Sequence, residues 1–258
     1  MHVLKHVDYI AAEDTRRTGI LLCYFHIKTR LISFHSYNEK TKTKILLLKL
    51  KEGKKIALVS DAGTPTINDP GYYLVNQCHK ANIQIIPLPG ACAAITALSA
   101  SGLTGNRFCY EGFLPIHTIA RQNLLSTLIY ETRTLIFYEV KHRIKDTIMD
   151  MITIFGNNRY VVLARELTKK WESIQGFPLI ELLRWITYDS KHIYGEMILL
   201  VEGYKKCSHT DLSLSVDILK AFNILKKFLS LKEAIIITAK LYKFKKNILY
   251  NYLLKNKI

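Results

Sequence analysis

Three short stretches of this chain carry the side-chain types that bind charged ligands or move protons. Ala11-Ala12-Glu13-Asp14-Thr15-Arg16-Arg17-Thr18 sets two carboxylates beside two guanidiniums. Adjacent arginines in a tight turn match phosphate oxygens bidentately, so Arg16 and Arg17 point to phosphate or RNA contact. Asp14 or Thr15 serves equally well as the N-cap of a following helix. Ser33-Phe34-His35-Ser36-Tyr37-Asn38-Glu39 offers groups that stack on bases or hydrogen-bond to base and ribose. A single histidine is more often structural, but His35 shares its cluster with Tyr37 and Asn38. In Ala164-Arg165-Glu166-Leu167-Thr168-Lys169, Arg165 and Glu166 either serve a ligand or pair with each other.

A fourth stretch is richer in special backbone than in charge. The apolar run Ile56–Val59 stops at Ser60-Asp61-Ala62-Gly63-Thr64-Pro65-Thr66-Ile67-Asn68-Asp69-Pro70-Gly71, and a helical pattern, Tyr72–Ala81, follows. Glycine lets a ligand approach the backbone closely and proline stiffens the loop. Strand, small-residue loop, helix is how open α/β sheets build ligand sites at the carboxyl ends of their strands.

The other stretches also sit where strands are expected to end. Strands are predicted over Val7–Ala12, Arg30–Phe34, Lys55–Val59, Ile83–Leu88 and Phe108–Phe113. Helices are predicted over Thr18–Phe25, Lys40–Glu52 with Gly53 as its cap, Tyr72–Ala81 and Ala91–Ser101. A second unit follows a joint near Gly112–Pro115. It has helix Arg121–Tyr130, strand Thr134–Tyr138, helix Lys141–Phe155, strand Tyr160–Ala164, a loop through Arg165–Gly176, helix Pro178–Tyr188 and strand Glu196–Val201. The alternation of the first unit predicts a largely parallel sheet with helices on both faces, and strand-end clusters in two units predict a cleft between them.

After Gly203 the texture changes to Lys, Ser and Leu with helical spacing. Helices are predicted over Leu214–Leu229, Leu231–Tyr242 with Ser230 and Glu233 as a capping box, and Lys246–Leu254. The last two, around Lys243–Lys245, resemble a helix-turn-helix; the alternative is a basic packing appendage. From Lys205 to Ile258 there are 12 Lys against three acids, so the tail supplies +9 of the net +16. That charge suggests a polyanion partner. Five scattered cysteines with no Cys-x-x-Cys pair suggest a reducing cytoplasm rather than a disulfide framework or zinc site. Ala81 to Asn106 lacks charge, but Pro87, Pro89 and Gly90 interrupt it, so a buried strand-turn-helix is expected there and no membrane partner. P-loop, dinucleotide-binding and zincin signatures are absent.

Seven motifs in order resemble the ribosomal RNA small subunit methyltransferase I family. They are Ala12-Glu13-Asp14-Thr15-Arg16, Leu58 to Pro65, Asn68-Asp69-Pro70-Gly71, Pro87-Leu88-Pro89-Gly90, Tyr110 to Pro115, Phe137-Tyr138-Glu139, and Ala164 to Lys169. Each is weak alone, and together they run along nearly the whole chain. The resemblance implies two α/β domains of the tetrapyrrole methylase type with a cofactor cleft between them. Their expected bounds are 1–112 and 113–204, with a basic helical extension over 205–258. It implies a homodimer that uses S-adenosyl-L-methionine to methylate the ribose 2′-hydroxyl of cytidine 1402 in 16S rRNA of the small ribosomal subunit. The positions matching cofactor contacts are Asp61, Gly63, Thr64, Ile67, Cys92, Ala93, Tyr138, Leu167 and Glu196.

Two departures stand out. Relatives begin with a strand and loop reading like Tyr-Ile-Val-Pro-Thr-Pro-Ile-Gly-Asn-Leu, whereas Met1 to Val7 matches only the end of the helix after it. The first sheet is therefore expected to lack that strand. Ser36-Tyr37-Asn38 also stands where relatives show a His before the Asn.

For methyl transfer to a 2′-hydroxyl, Glu13, Asp14, Glu166 and Lys169 are the candidates for a base or a cationic hydrogen-bond donor. Arg16, Arg17, His35, Asn38, Arg165, Lys243, Lys245 and Lys246 are the candidates to hold RNA. The rival readings are a precorrin-type tetrapyrrole methylase of the same fold and a non-catalytic RNA-binding remnant. The Lys-rich tail and the Glu13–Arg17 motif argue against the first.

Overall fold

The computed structural model describes residues 1–205, 216–242 and 246–255. They fall into two compact units, Met1–Tyr204 and Lys205–Ile258.

The larger unit opens with α1 (His2–His6), β1 (Tyr9–Ala12), α2 (Thr15–Tyr24), β2 (Arg30–Ser33), α3 (Glu39–Lys51), β3 (Ile56–Val59), α4 (Tyr72–Lys80) and α5 (Ala93–Ala100). Its three strands form a parallel sheet in the order β2-β1-β3. The central β1 is the most apolar, and Ile10, Ala11 and Ala12 are fully buried, as befits a strand covered on both faces. Ala12 lies level with Ser33 on one side and Val59 on the other. The three strands therefore stop together, and the loops that follow them start side by side. That level edge brings the first, second and fourth sequence stretches into one place.

The chain then builds a second sheet from β4 (Phe108–Phe113), β5 (Thr134–Val140), β6 (Tyr160–Arg165), β7 (Ser173–Pro178) and β8 (Glu196–Val201), in the order β4-β5-β8-β6-β7. Helices α6 (Thr118–Thr127), α7 (Ile144–Phe155) and α8 (Leu179–Tyr188) connect its strands. The period of two along β5 and β8 sorts their side chains onto opposite faces. Leu135, Phe137, Leu199 and Val201 join the core under α6, α7 and α8. Ile136, Ile198 and Leu200 face the other way, onto Ala94, Ala97 and Leu98 of α5. Helix α5, whose approach is bonded to the long loop after β3, is thus packed on the second sheet, and this ties the two halves of the site together.

The second sheet is mixed, because only β4–β5 is parallel while β5–β8, β6–β7 and β6–β8 are antiparallel. Three expectations differ from the structure. The expected loop Arg165–Gly176 contains β7, which supplies one of those antiparallel pairs. Its Ser-Ile-Gln-Gly-Phe-Pro run is half polar and acquires strand geometry from pairing with β6. The expected strand Ile83–Leu88 is not one. Ile83 and Ile85 lean on the first sheet's core, while Ile86 and Leu88 are 70% and 61% exposed. The segment alternates like a strand but has no ladder partner, and a strand exists only with a neighbour. Finally, β4 belongs to the second sheet, so the change of sheet precedes Phe108 rather than falling at Gly112–Pro115.

The smaller unit holds α9 (Val216–Leu225), α10 (Leu231–Leu241) and α11 (Lys246–Lys255). Phe222, Ala234, Ile235, Leu249 and Leu253 make its core. Ser230 and Glu233 form the expected capping box at the start of α10. Leu214, Lys243 and Lys245 lie outside the described residues; Lys246 is exposed at the start of α11. No helix among the described residues is long and apolar enough to cross a membrane.

Candidate active site

At the level edge of the first sheet the loops interlock through backbone-to-carboxylate bonds. The Asp61 amide donates to Glu13 Oε2 at 3.1 Å, and the Asp14 amide donates to Asp61 Oδ1 at 3.1 Å. Arg17 Nη1 stands 3.4 Å from Asp61 Oδ2. Asp14 caps α2 by accepting from the Arg16 amide at 2.8 Å, and it also takes two bonds from the Arg16 guanidinium, at 3.1 and 2.8 Å. Those Arg16 bonds hold the Asp14 carboxyl well below the usual carboxylate range. Both oxygens are occupied, which makes Asp14 a poor base.

The His35 cluster closes on itself. Asn38 Oδ1 accepts from the His35 amide at 2.9 Å, so the Asn38 amide nitrogen faces the ring and meets His35 Nε2 at 3.0 Å. The same nitrogen donates to the Ser33 carbonyl at 3.3 Å. Asn38 is thus engaged within its own loop, while Tyr37 is 97% exposed. A cavity of about 420 Å³ lies between this cluster and the first, lined by Glu13, Asp14, Arg16, His35 and Tyr37 among others.

The long loop after β3 is held by more than its own turns. The Thr64 hydroxyl donates to the Ala91 carbonyl at 3.1 Å, which brings Gly63 and Thr64 against Cys92, the N-cap of α5. Ile67 is exposed beside them. Tyr110 donates from its hydroxyl to Asn68 Oδ1 at 2.5 Å. The rings of Tyr110 and Phe113 lie 5.3 and 5.6 Å from that of Tyr138, and burial raises both the Tyr110 and Tyr138 phenols. The β4–β5 register shifts between Tyr110 and Gly112. Gly112 has φ +65°, and a Cβ there would sit 2.7 Å from Asn68 Oδ1. The irregular strand and the loop are fitted to each other. Asp69, raised chiefly by burial and then by the charge of Glu13, stands in the same acidic neighbourhood.

On the second sheet, Glu166 accepts from Lys169 Nζ and from the Glu196 amide, both at 2.9 Å. Lys169 also reaches Glu196 Oε2 at 3.2 Å. The Lys169 bond depresses the Glu166 carboxyl, and the Glu166 bond raises the Lys169 ammonium. Lys169 is therefore a fixed cation rather than a base. Gly195 permits this with φ +90°, since a Cβ there would overlap the Glu166 carboxyl group. Leu167 packs on the core beside Cys92 and Tyr138. Arg165 spends its guanidinium on Ser173 Oγ and on the Lys191 and Tyr194 carbonyls, each at 3.1 Å.

Among the described residues, six non-glycine residues have positive φ; Thr66, Asn68, Glu166 and Thr168 are four of them. Backbone strain concentrates at functional loops, and here it marks the same two loops as the side chains do. The structure brings together Glu13, Asp14, Arg16, Arg17 and Asp61, and separately Glu166, Lys169 and Glu196. Thr64 is bonded to Ala91, next to Cys92, and Cys92, Tyr138 and Leu167 pack on one cluster with Ala94, with Ala93 beginning α5. Asn68, Asp69 and Tyr110 join them without having been singled out as site residues. Their signal was the Asn-Asp-Pro-Gly run, whose partners are set by tertiary packing.

Residues 1–182 match the model of the tetrapyrrole (corrin/porphyrin) methylases. The chain is 52% identical over 255 residues to the ribosomal RNA small subunit methyltransferase I of Escherichia coli O157:H7, spanning 99% of this chain and 88% of that protein. It is 50% identical over 252 residues to the protein of that name in Haemophilus influenzae, spanning 98% and 89%. Among solved structures, the methyltransferase CobJ superposes with a TM-score of 0.57 at 16% identity over 80% of this chain and 88% of that one. Diphthine synthase gives 0.55 at 11% identity over 78% and 82%. At such identities the likeness is one of fold.

Proposed function

We propose a function for this chain, which belongs to the ribosomal RNA small subunit methyltransferase I family, within the tetrapyrrole methylases. It methylates RNA of the small ribosomal subunit, at the ribose 2′-hydroxyl of cytidine 1402 in 16S rRNA, with S-adenosyl-L-methionine as donor. It works in the cytoplasm as a homodimer. The observation that carries this reading is the interlock of Glu13, Asp14 and Asp61 at the level strand edge. Beside it the Gly63–Thr64 loop is tied to the start of α5.

The residues present fit such a donor. Asp61 offers a carboxylate at a strand end, Gly63 has φ +75° and a Cβ there would meet only the Ala91 carbonyl oxygen, at 3.7 Å, and Tyr138 and Leu167 give an apolar wall. With Thr64, Ile67, Cys92, Ala93 and Glu196 they would hold it. S-adenosyl-L-methionine, when bound, supplies a sulfonium methyl group already activated for displacement. The chain's own work is then largely positioning.

A 2′-hydroxyl must lose its proton as it attacks. Asp14 is committed to Arg16 and Glu166 to Lys169, so Glu13, whose Oε1 has no bond among the described residues, takes the proton. Lys169, fixed by Glu166 and Glu196, supplies a cation toward the developing oxyanion. Arg16, Arg17 and His35 hold the RNA; the tail, with Lys246 exposed, is a basic unit of its own that suits a polyanion.

Titration calorimetry with S-adenosyl-L-methionine tests the site. The parent protein is expected to bind, and Gly63→Val is expected to lose at least tenfold in affinity. No binding by the parent, or full affinity in the variant, would refute the assignment.

A further inference from the structure

Along the outer edge of the first sheet runs a groove that the catalytic reading does not use. It is a cavity of about 320 Å³ between β2 and α3, lined by Arg30, Ser33, Lys42, Lys49 and Tyr9 among others. β2 is an edge strand, so backbone donors on that side have no ladder partner. Lys49 is held in place, donating to Tyr9 Oη at 3.3 Å with its ammonium 4.5 Å from the centre of the Tyr9 ring. Among the described residues, no carboxylate pairs with Arg30, Lys42 or Lys49.

The acid that would ordinarily neutralise this face points elsewhere. Glu39 is the only acidic residue of α3, and its Oε1 accepts from the Gly71 and Tyr73 amides at 2.9 and 3.0 Å. The remaining charges of the helix, Lys40, Lys42, Lys44, Lys49 and Lys51, are all positive. Ser33 lines both this groove and the cavity of Glu13, Arg16, His35 and Tyr37. Through this shared border the two cavities would make one path from Arg30 to Tyr37.

We propose that this path is the track of a single RNA strand, its phosphates on Arg30, Lys42 and Lys49 and a base stacked on Tyr37, leading the target nucleotide to Glu13. The proposal rests on the RNA substrate inferred above. Cations without acidic partners, lying in a groove beside an exposed aromatic ring, are the components of a single-strand binding surface. Charge complementarity selects a polyanion, and the exposed ring selects a polyanion with bases.

The test is binding of a single-stranded RNA of about 16 nucleotides, carrying the small-subunit sequence around the target, followed by fluorescence anisotropy over a series of salt concentrations. Removing one phosphate contact lowers the slope of log K against log salt by roughly 0.7. Arg30→Gln, Lys42→Gln and Lys49→Gln are each expected to show that loss. The triple variant should lose about 2 in slope with unchanged affinity for S-adenosyl-L-methionine. Lys42→Arg with Lys49→Arg should keep the parent slope. Tyr37→Ala should weaken binding by roughly 5- to 150-fold with little change in slope. Parent-like slopes in all the glutamine variants would overturn the proposal. So would a slope lost in the arginine variant, or equal, lysine-dependent binding of polyglutamate. Retained RNA binding without any methyl transfer would overturn the function and leave the track standing.

Discussion

At Gly112 a single hydrogen atom in place of a side chain decides how loop and strand meet. The residue combines φ +65° with the close approach of Asn68, and Asn68 itself holds Tyr110. Gly112→Ala is expected to destabilise the protein by about 1–2 kcal/mol from the left-handed backbone alone. It should also weaken binding of S-adenosyl-L-methionine by displacing Asn68 from Tyr110. Thermal unfolding and calorimetry read the two effects, and a variant with parental values in both would contradict the interlock. The polar clusters themselves were legible in the sequence, because Glu13, His35 and Asp61 each follow an apolar run that reads as a strand. The interlock was not, because Asn68 and Tyr110 are 42 residues apart and meet only through an irregularity in β4. Nor could the sequence separate Glu13 from Asp14, since that difference lies in which carboxylate Arg16 occupies.

Elements are positioned by contacts from outside themselves. The N-cap of α4 is Gly71, which has no side chain to do the capping, and Glu39 of α3 does so from 32 residues away. Glu39→Gln keeps the shape but removes the charge from two hydrogen bonds. It should cost about 1–2 kcal/mol in urea unfolding; an unchanged midpoint would show that α4 is capped otherwise. Most helices were legible to within a few residues from apolar spacing and caps, as at Ser230. The strands were less so. Ile83–Leu88 carries the alternation of a strand without a partner, while Ser173–Pro178 has little alternation and is paired with β6. Hydrophobic pattern reports which face is buried, whereas pairing depends on what lies alongside. The mixed second sheet was hidden for the same reason, since strand direction is set by the connections.

The larger unit closes on itself at its end, where the Tyr204 amide donates to the Glu131 carbonyl at 2.6 Å. The Glu131 carboxyl is pulled down from 4.5 to about 2, chiefly by the Arg133 side chain, which bonds it at 2.7 and 2.9 Å. A carboxyl depressed in the folded state contributes stability that is fully present above its unfolded value and is lost as pH falls toward its folded value. The window here is pH 4.5 to about 2. Glu131→Gln should flatten the fall of the urea midpoint across that window, by a small amount because the pair lies at the surface. An equally steep fall would remove Glu131 from the acid response.

The joined loops of the two sheets are proposed to transfer a methyl group to a ribose hydroxyl of small-subunit RNA. Incubation of small ribosomal subunits lacking the modification with methyl-labelled S-adenosyl-L-methionine, followed by nucleoside analysis of the 16S rRNA, tests this most directly. Label is expected in the 2′-O-methyl group of one cytidine, at position 1402, and is expected to be lost with Glu13→Gln. Label on a base, or no label from a protein that binds the donor, would contradict it.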